Sequence, residues 1–373
     1  MDSVSAETFV GLDVHRKSVV ATAVDVWGHP VGQAKFGPTD RELVEFLRTL
    51  PGPARVALEA CSVWQHFYDA AESTGASVVL SNPLKTRLIA EANLKTDRVD
   101  SEALATLLRG NLLPTSYAPP PETRALRSLV RERLFYRRKA TSIMVHTYAV
   151  MLQRGVDYED RILVHRRKRE SLRELHLEEV DRALDTLTHL DTTCKDLDRR
   201  IHEAYLDSSD AQLLATIPGI GELTAVALAA WITPIERFPT AERLVSYLGL
   251  CPTTRQSAGS LYHGRLKKDS NELIRTLLVE ASWTHRARVK RGTVAKKARR
   301  VSRRRGTTKG AVAGAHSLVK CIFAMLKRGE PFNPHAPGPS TAVQRLRHPR
   351  VTAMQCVQRT ALESPTANSL PAP

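Results

Sequence analysis

Four carboxylates stand where a carboxylate needs a reason. Asp13 lies inside the apolar strand pattern Gly11-Leu12-Asp13-Val14-His15, and Glu59 closes the short apolar run Arg55-Val56-Ala57-Leu58-Glu59. Burying an ionised carboxylate in such a strand is costly unless something compensates it. Asp97 and Asp100, in LKTDRVDSEALA, are three residues apart on a predicted helix, which puts both on one face. Four carboxylates packed together would repel one another and need a cation, and hard oxygen ligands suit Mg²⁺ or Mn²⁺. Two such ions can stabilise both the attacking and the leaving oxygen of a phosphoryl transfer. The alternative stays open residue by residue: Asp13 facing solvent at a strand end, Glu59 at an edge, the Asp pair capping a helix. Glu102 is a candidate substitute ligand, and His15 is within reach of the same site.

The elements that must position these residues are α/β. Phe9–Val14 and Ser18–Val26 read as two antiparallel strands joined by a basic turn at Arg16-Lys17, with Val31–Phe36 as a third. Thr39 caps a helix running to Leu50, with Glu42 at the capping-box position. Val56–Leu58 is a buried strand, Val63–Ser73 a helix and Ser77–Leu80 a further strand. Strand-strand-strand-helix-strand-helix-strand is the order of an RNase H-like domain, an order that other α/β domains share.

Pro114 and Pro119-Pro120-Pro121 mark a boundary. Beyond it Glu122–Tyr205 reads as long helices. An apolar seam (Val180, Ala183, Leu184, Leu187, Leu190, Cys194, Leu197, Ile201, Ala204) fits either a coiled coil or the packed face of a bundle. Basic clusters flank it: Arg131 and Arg133, Arg137-Arg138-Lys139, and Arg166-Arg167-Lys168-Arg169. Ile217-Pro218-Gly219-Ile220-Gly221 has the form of a helix-hairpin-helix turn, with Gly219 and Gly221 allowing tight turning and free amides at a helix N-terminus. From Ala281 to Gly329 there are fifteen Lys or Arg and no acid, with Trp283 near the start as a candidate stacking residue. Arg286–Lys309 reads as too charged for a core element and suited to a phosphate backbone.

The chain of 373 residues carries a formal net charge of +16, which points to a polyanionic partner. No run of about 18 apolar residues is present, which argues against a membrane. The N-terminus lacks the basic-then-apolar signature of a signal peptide, so a cytoplasmic location is expected. The cysteines Cys61, Cys194, Cys251, Cys321 and Cys356 are too scattered for a zinc site or a disulfide framework.

GLDVHRKS, the Glu of RVALEA, and LKTDRVDSEALA resemble the N-terminal domain of DEDD-type insertion-sequence transposases, the insertion-sequence one-ten family of bridge-RNA-guided recombinases. IPGIG followed by YLGLCPTTRQSAGSLYHGRLKKDSNELIR resembles that family's C-terminal domain, and the likeness covers roughly residues 8–330. The resemblance implies metal-binding acids at Asp13, Glu59, Asp97 and Asp100 and a catalytic serine at Ser257. It implies a RuvC-like domain, a coiled-coil arm, a small α-helical domain and a composite site between protomers. It also implies a structured, element-encoded guide RNA that pairs with donor and target DNA. The expected organisation is therefore α/β plus all-α. Residues 6–118 would form the RuvC-like domain, 122–206 the helical arm, 207–332 the C-terminal domain with the serine loop and helix-hairpin-helix-like turn, and 333–373 a disordered tail. Two departures stand out. Ala60-Cys61-Ser62-Val63-Trp64 replaces the family's Ala-Thr-Gly-aromatic element, and Ala258 separates Ser257 from Gly259 where relatives carry Gln-Ser-Gly.

A serine hydroxyl needs activation to act as a nucleophile. The small-residue loop Ser257-Ala258-Gly259-Ser260 would let it approach a phosphate, with Arg255, His263, Arg265, Lys267 and Lys268 nearby to neutralise transition-state charge. Ser260 and Thr254 are its rivals. The expected function is Mg²⁺-dependent DNA strand cleavage and exchange by a homodimer or homotetramer in the bacterial cytoplasm. The alternatives are a RuvC-like junction-resolving nuclease using water, and a nucleic-acid-binding protein without catalysis.

Overall fold

The computed structural model describes residues 7–89, 97–257, 260–266 and 271–334. The chain divides into two compact units, Met1–Pro120 and Pro121–Pro373. The split falls inside the Pro119-Pro120-Pro121 run, and Pro121 opens the next helix at the position where a missing amide hydrogen costs nothing.

The first unit is built on a five-stranded sheet in the order β3-β2-β1-β4-β5. Strand β1 (Thr8–Val14) pairs antiparallel with β2 (Val19–Val24), which pairs antiparallel with β3 (Pro30–Phe36). On its other side β1 pairs parallel with β4 (Ala54–Glu59), and β4 parallel with β5 (Ser77–Ser81). Helices α1 (Asp40–Thr49) and α2 (Trp64–Glu72) supply Leu43, Leu47 and Phe67 to one face, where Val10, Leu12, Val56 and Leu58 meet them. Helix α3 (Pro83–Ile89) follows β5, and α4 (Asp97–Arg109) covers the opposite face, packing Leu104, Ala105 and Leu108 against Phe9 and Ala57. With both faces covered, β1 and β2 must be apolar along nearly their whole length, which is why Asp13 stands out. At the start of α1 the Thr39 hydroxyl donates to the Glu42 carboxylate at 2.7 Å and does not cap a backbone amide, so a side-chain pair stands in place of the expected capping box.

In the second unit, α5 (Pro121–Gln153) and α7 (Glu178–Leu206) form an antiparallel hairpin, with the four-residue α6 (Arg166–Arg169) in the connection. The Arg133–Asp198 and Arg154–Glu179 ion pairs fix the antiparallel sense. The seam read from the sequence is filled within the chain. Near the tip, Val180, Leu184, Leu187 and Leu190 share a core with Ala140, Met144 and Met151. Near the base, Leu197 and Ile201 join Leu129 and Val130 in a core continuous with the C-terminal helices. Those helices are α8 (Ser209–Ala215), α9 (Glu222–Ile232), α10 (Ala241–Tyr247), α11 (Glu272–Arg288), α12 (Thr293–Arg305) and α13 (Thr307–Arg328). Between α10 and α11 runs a two-stranded antiparallel hairpin, β6 (Pro252–Ser257) and β7 (Ser260–Leu266), so the region expected to be all-helical also contains strands.

One other reading is corrected by packing. Helix α12 does enter the core, through Val294, Ala295 and Ala298 on one stripe, while Lys296, Arg300 and Arg303–Arg305 stay exposed. Helix α13 is, among the described residues, the one helix long and apolar enough by length and composition to cross a bilayer, yet its Leu318, Val319 and Ile322 are buried in the unit's core. Residues beyond 334, where the tail was expected, lie outside the described residues.

Candidate active site

Register places the first two acids side by side. Leu12 is paired with Leu58 across the parallel β1–β4 ladder, so the next positions, Asp13 and Glu59, stand at the carboxyl ends of neighbouring strands. Side chains alternate along a strand. Val10 and Leu12 point to the α1–α2 side, so Asp13 shares the other face with Phe9 and Gly11, and Glu59 shares it with Ala57. That is the face covered by α4.

Helix α4 is pinned there by two contacts. Gly11 has no side chain, and a β-carbon on it would stand 2.0 Å from the Ser101 carbonyl oxygen and 2.6 Å from the Ala105 nitrogen. The strand and the helix backbone therefore touch directly. Next to it the hydroxyls of Thr22 and Ser101 are hydrogen-bonded at 2.8 Å in a buried position. At the far end of α4, Arg109 donates to the Val26 carbonyl at 3.2 Å. The helix thus runs antiparallel to β1, and its N-terminal turn lies toward the end of the sheet that carries Asp13 and Glu59. Asp97 is the first residue of α4; its side chain lies outside the described residues. Asp100 is half-buried, four residues before Leu104, whereas Glu102 is exposed.

Asp13 keeps 17% of its side chain exposed and accepts a 3.0 Å contact from His15 Nε2. His15, Arg16, Pro38, Ser62, Gln65 and His66 line a depression beside this pair. Among the described residues no three His, Cys, Asp or Glu side chains converge as a closed metal cage. Strands β1 and β4 bring Asp13 and Glu59 to one end of one face, and hard oxygens on two adjacent strands are donors that fit a divalent cation. Gly11 is the positioning residue that sequence reading passed over; its signal was a glycine inside a strand, which marks a close backbone approach.

Ser257 ends β6 and is paired with Ser260, so only Ala258 and Gly259 lie between the strands. The serine element thus spans the end of β6 and the start of β7. Arg255 is paired with Tyr262, Thr254 with His263. Alternation sets positions 255 and 257 on one face of the ribbon, with 260 and 262 across from them, and places 254 on the other. The side chains of Arg255, Ser257 and Arg265, and Lys267 and Lys268 altogether, lie outside what is described.

The Ile217–Gly221 turn joins α8 to α9. Gly219 has φ of +103°, and a β-carbon there would stand 2.8 Å from the Ala281 carbonyl oxygen and 2.9 Å from the His285 nitrogen. Its glycine is demanded by packing on α11. His285 Nδ1 donates to the Pro218 carbonyl at 2.9 Å, and burial lowers the pKa of that imidazole from its usual value. Gly221 differs: it is exposed, precedes the first turn of α9, and open space surrounds the position of its absent side chain. Trp283 already carries the Arg286 guanidinium 4.5 Å from its ring centre. Arg299 donates to the Arg286, Val289 and Lys290 carbonyls and so closes the C-terminus of α11.

Residues 10–153 match a family model described as "Transposase", the DEDD type of IS110 elements, and residues 211–298 match one described as "Transposase IS116/IS110/IS902 family". The chain is 23% identical to the transposase for insertion sequence element IS1111A of Coxiella burnetii, over 87% of this chain and 90% of that protein. It is 25% identical to the transposase for insertion sequence element IS1328 of Yersinia enterocolitica, over 87% and 98%. A 43.6 kDa protein of insertion element IS110 from Streptomyces coelicolor is 29% identical over 34% of this chain and 31% of its own length. Two family models in order along the chain, together with full-length relatives of one kind, agree with the sheet that carries the acids: the chain belongs to the IS110 family of DEDD transposases.

Proposed function

We propose that the chain cuts and rejoins DNA strands by exchanging one phosphate ester for another, with Ser257 as the nucleophile and Asp13, Glu59, Asp97 and Asp100 as the ligands of Mg²⁺ or Mn²⁺. The observation that carries this reading is the placement of Asp13 and Glu59 at adjacent strand ends, on the face where the N-terminal turn of α4 arrives with Asp97 and Asp100. A divalent ion bound there would polarise the phosphate and stabilise charge on the attacking and leaving oxygens. In the step itself the Ser257 oxygen forms a bond to phosphorus, one P–O bond of the DNA strand breaks, and the departing hydroxyl takes up a proton as the serine loses one. The covalent phosphoserine keeps the ester bond, so rejoining is the same step in reverse. Water as nucleophile would lose that bond.

Gly221, with its exposed backbone at the start of α9, supports phosphate contact by the α8–α9 turn; Gly219 serves the turn by packing. Arg255, at a register position on the same face of the ribbon as Ser257, is suited to neutralising the reacting phosphate; Arg265, Lys267 and Lys268 would hold the flanking backbone. Guidance by an element-encoded RNA, and assembly as a homodimer or homotetramer, follow from the family resemblance and complete the proposal.

The test is a strand-transfer reaction with purified protein, the RNA transcribed from the element's flanks, and DNA bearing matching sites. Mg²⁺-dependent joining through a protein–DNA adduct is expected. Cleavage without an adduct would make the chain a water-using nuclease, and no cleavage with or without the metal would remove catalysis from the reading.

A further inference from the structure

Runs of basic residues do not say which cations are free to meet a ligand; packing does. The run Arg166–Arg169 is split by the fold. Arg169 is 2% exposed and pairs with Asp191 at 2.7 Å. Lys168 pairs with Glu159. Arg166 turns instead to a groove between the two long helices. Arg133 and Arg137 of α5 and Lys195 of α7 line the same groove, together with Ala140, Cys194, Asp191 and Asp198.

The charges in this groove do not balance. Asp198 accepts both a 2.7 Å and a 2.9 Å hydrogen bond from Arg133, and Asp191 is taken by Arg169. Arg137, Arg166 and Lys195 are left as surplus cations, exposed and without an ion pair among the described residues. They come from α5, α6 and α7, and 58 residues separate the first from the last. Three like charges gathered around one depression oppose one another, and an anion seated among them removes that opposition. The groove is open to solvent and offers about 250 Å³. At ~30 Å³ per water this admits a phosphate group with its hydration, not only a bare ion. Two of the cations are arginines, whose planar fork matches phosphate oxygens.

We infer that Arg137, Arg166 and Lys195 form a phosphodiester-binding site on the helical hairpin, a nucleic-acid contact separate from the carboxylates and the serine turn. The inference rests on the reading of the chain as a nucleic-acid enzyme but not on its chemistry. Arg133 and Arg169 are the positioning residues of the site, since each holds a carboxylate that would otherwise face the anion.

The test uses the full chain and two fluorescent probes of random sequence, a 20-bp DNA duplex and a 20-nucleotide RNA single strand, with affinity followed against salt. The triple variant Arg137→Gln, Arg166→Gln, Lys195→Gln should lower the slope of log K against log salt by about 2.7 on the duplex or about 2.1 on the single strand, whichever uses the site, since each lost phosphate contact is worth ~0.9 for duplex and ~0.7 for single strands. Affinity at low salt should fall at least about tenfold. Loss on DNA alone, on RNA alone or on both identifies the strand that the groove receives. A control with the same charge change in cations already paired, Arg41→Gln, Arg182→Gln, Arg199→Gln, should stay within about twofold of the parent. Unchanged slopes on both probes, an equal loss in the control, or no binding of either probe by the parent would overturn the site. Circular dichroism melting shows that each variant is folded. Because binding is read without metal or cleavage, a failure of the carboxylate or serine assignment leaves this result standing.

Discussion

The hydroxyls of Thr22 and Ser101 lie 2.8 Å apart, buried between β2 and α4, and Ser101 directly follows Asp100 in the chain. This bond and the bare backbone of Gly11 set the height and rotation of α4 on the sheet. Removing one hydroxyl takes this hydrogen bond from its buried partner, at a cost of about 1–3 kcal/mol, whereas replacing both is milder. Thr22→Val and Ser101→Ala should therefore each lower denaturant-measured stability, and the double variant should lose less than the sum. Additive losses would mean that the pair is not coupled.

Gly11→Ala tests the same contact by overfilling it. A methyl group cannot fit 2.0 Å from the Ser101 carbonyl, so α4 must lift or the strand must move. Overpacking of this kind costs about 1–3 kcal/mol. Cleavage should fall further than stability explains, because the movement carries Asp97 and Asp100 with it. Activity assayed at a temperature where the variant is fully folded makes the distinction.

Neutral replacement of the acids separates metal chemistry from binding. Asp13→Asn and Glu59→Gln keep side-chain volume and remove a negative charge from the strand ends. Cleavage should drop by a factor on the order of 10² or more, as when other electrostatic stabilisers of a transition state are removed. DNA affinity without metal should hold or rise, since repulsion of phosphate is lessened. A variant that cleaves at the parent rate in Mg²⁺ would take that residue out of the site.

Asp13 and Glu59 stand out in the sequence because they break a pattern: a charge in a two-sided apolar strand is visible there. The order of strands and helices in the first unit was legible for the same reason. The β6–β7 hairpin was not, because Pro252-Thr253-Thr254-Arg255-Gln256-Ser257 has no apolar face whose alternation would reveal a strand. The seam of α7 was visible, but its period cannot distinguish a partner in the same chain from one in another; α5 decides it. Arg169 and Arg166 look alike in sequence, and only packing makes one a buried partner of Asp191 and the other a groove lining. Likewise Gly219 and Gly221 look alike, and α11 separates them.

Strand pairing narrows the choice of nucleophile. Ser260 is directly across from Ser257, while Thr254 occupies a position on the other face of the ribbon. Ser257→Ala should abolish strand joining and the covalent adduct while RNA and DNA affinities stay within about twofold. Thr254→Val should keep both activities. Adduct formation by Ser257→Ala, lost only on adding Ser260→Ala, would move the nucleophile across the hairpin. Proteolysis of the adduct and sequencing of the linked peptide decides between the two serines.

Acid sensitivity should arise in the second unit. His316 of α13 is pushed down to about 4 by burial and by Lys297 and Lys320, against an ordinary value of 6.5. Its Nδ1 is buried and makes no hydrogen bond among the described residues. Glu242, the one acid facing it, pulls the other way and is itself bonded to Lys320 at 2.6 Å. Between pH 4 and 6.5 the unfolded chain binds a proton at this histidine that the folded chain refuses, so stability should fall as pH drops through that window. His285, also depressed by burial, acts in the same direction. His316→Gln removes the titrating group and should flatten part of the decline in melting temperature between pH 6.5 and 4, with the rest left to His285 and the carboxylates. A melting curve equally steep in the variant and the parent would show that the cluster of Lys297, His316 and Lys320 does not govern acid stability.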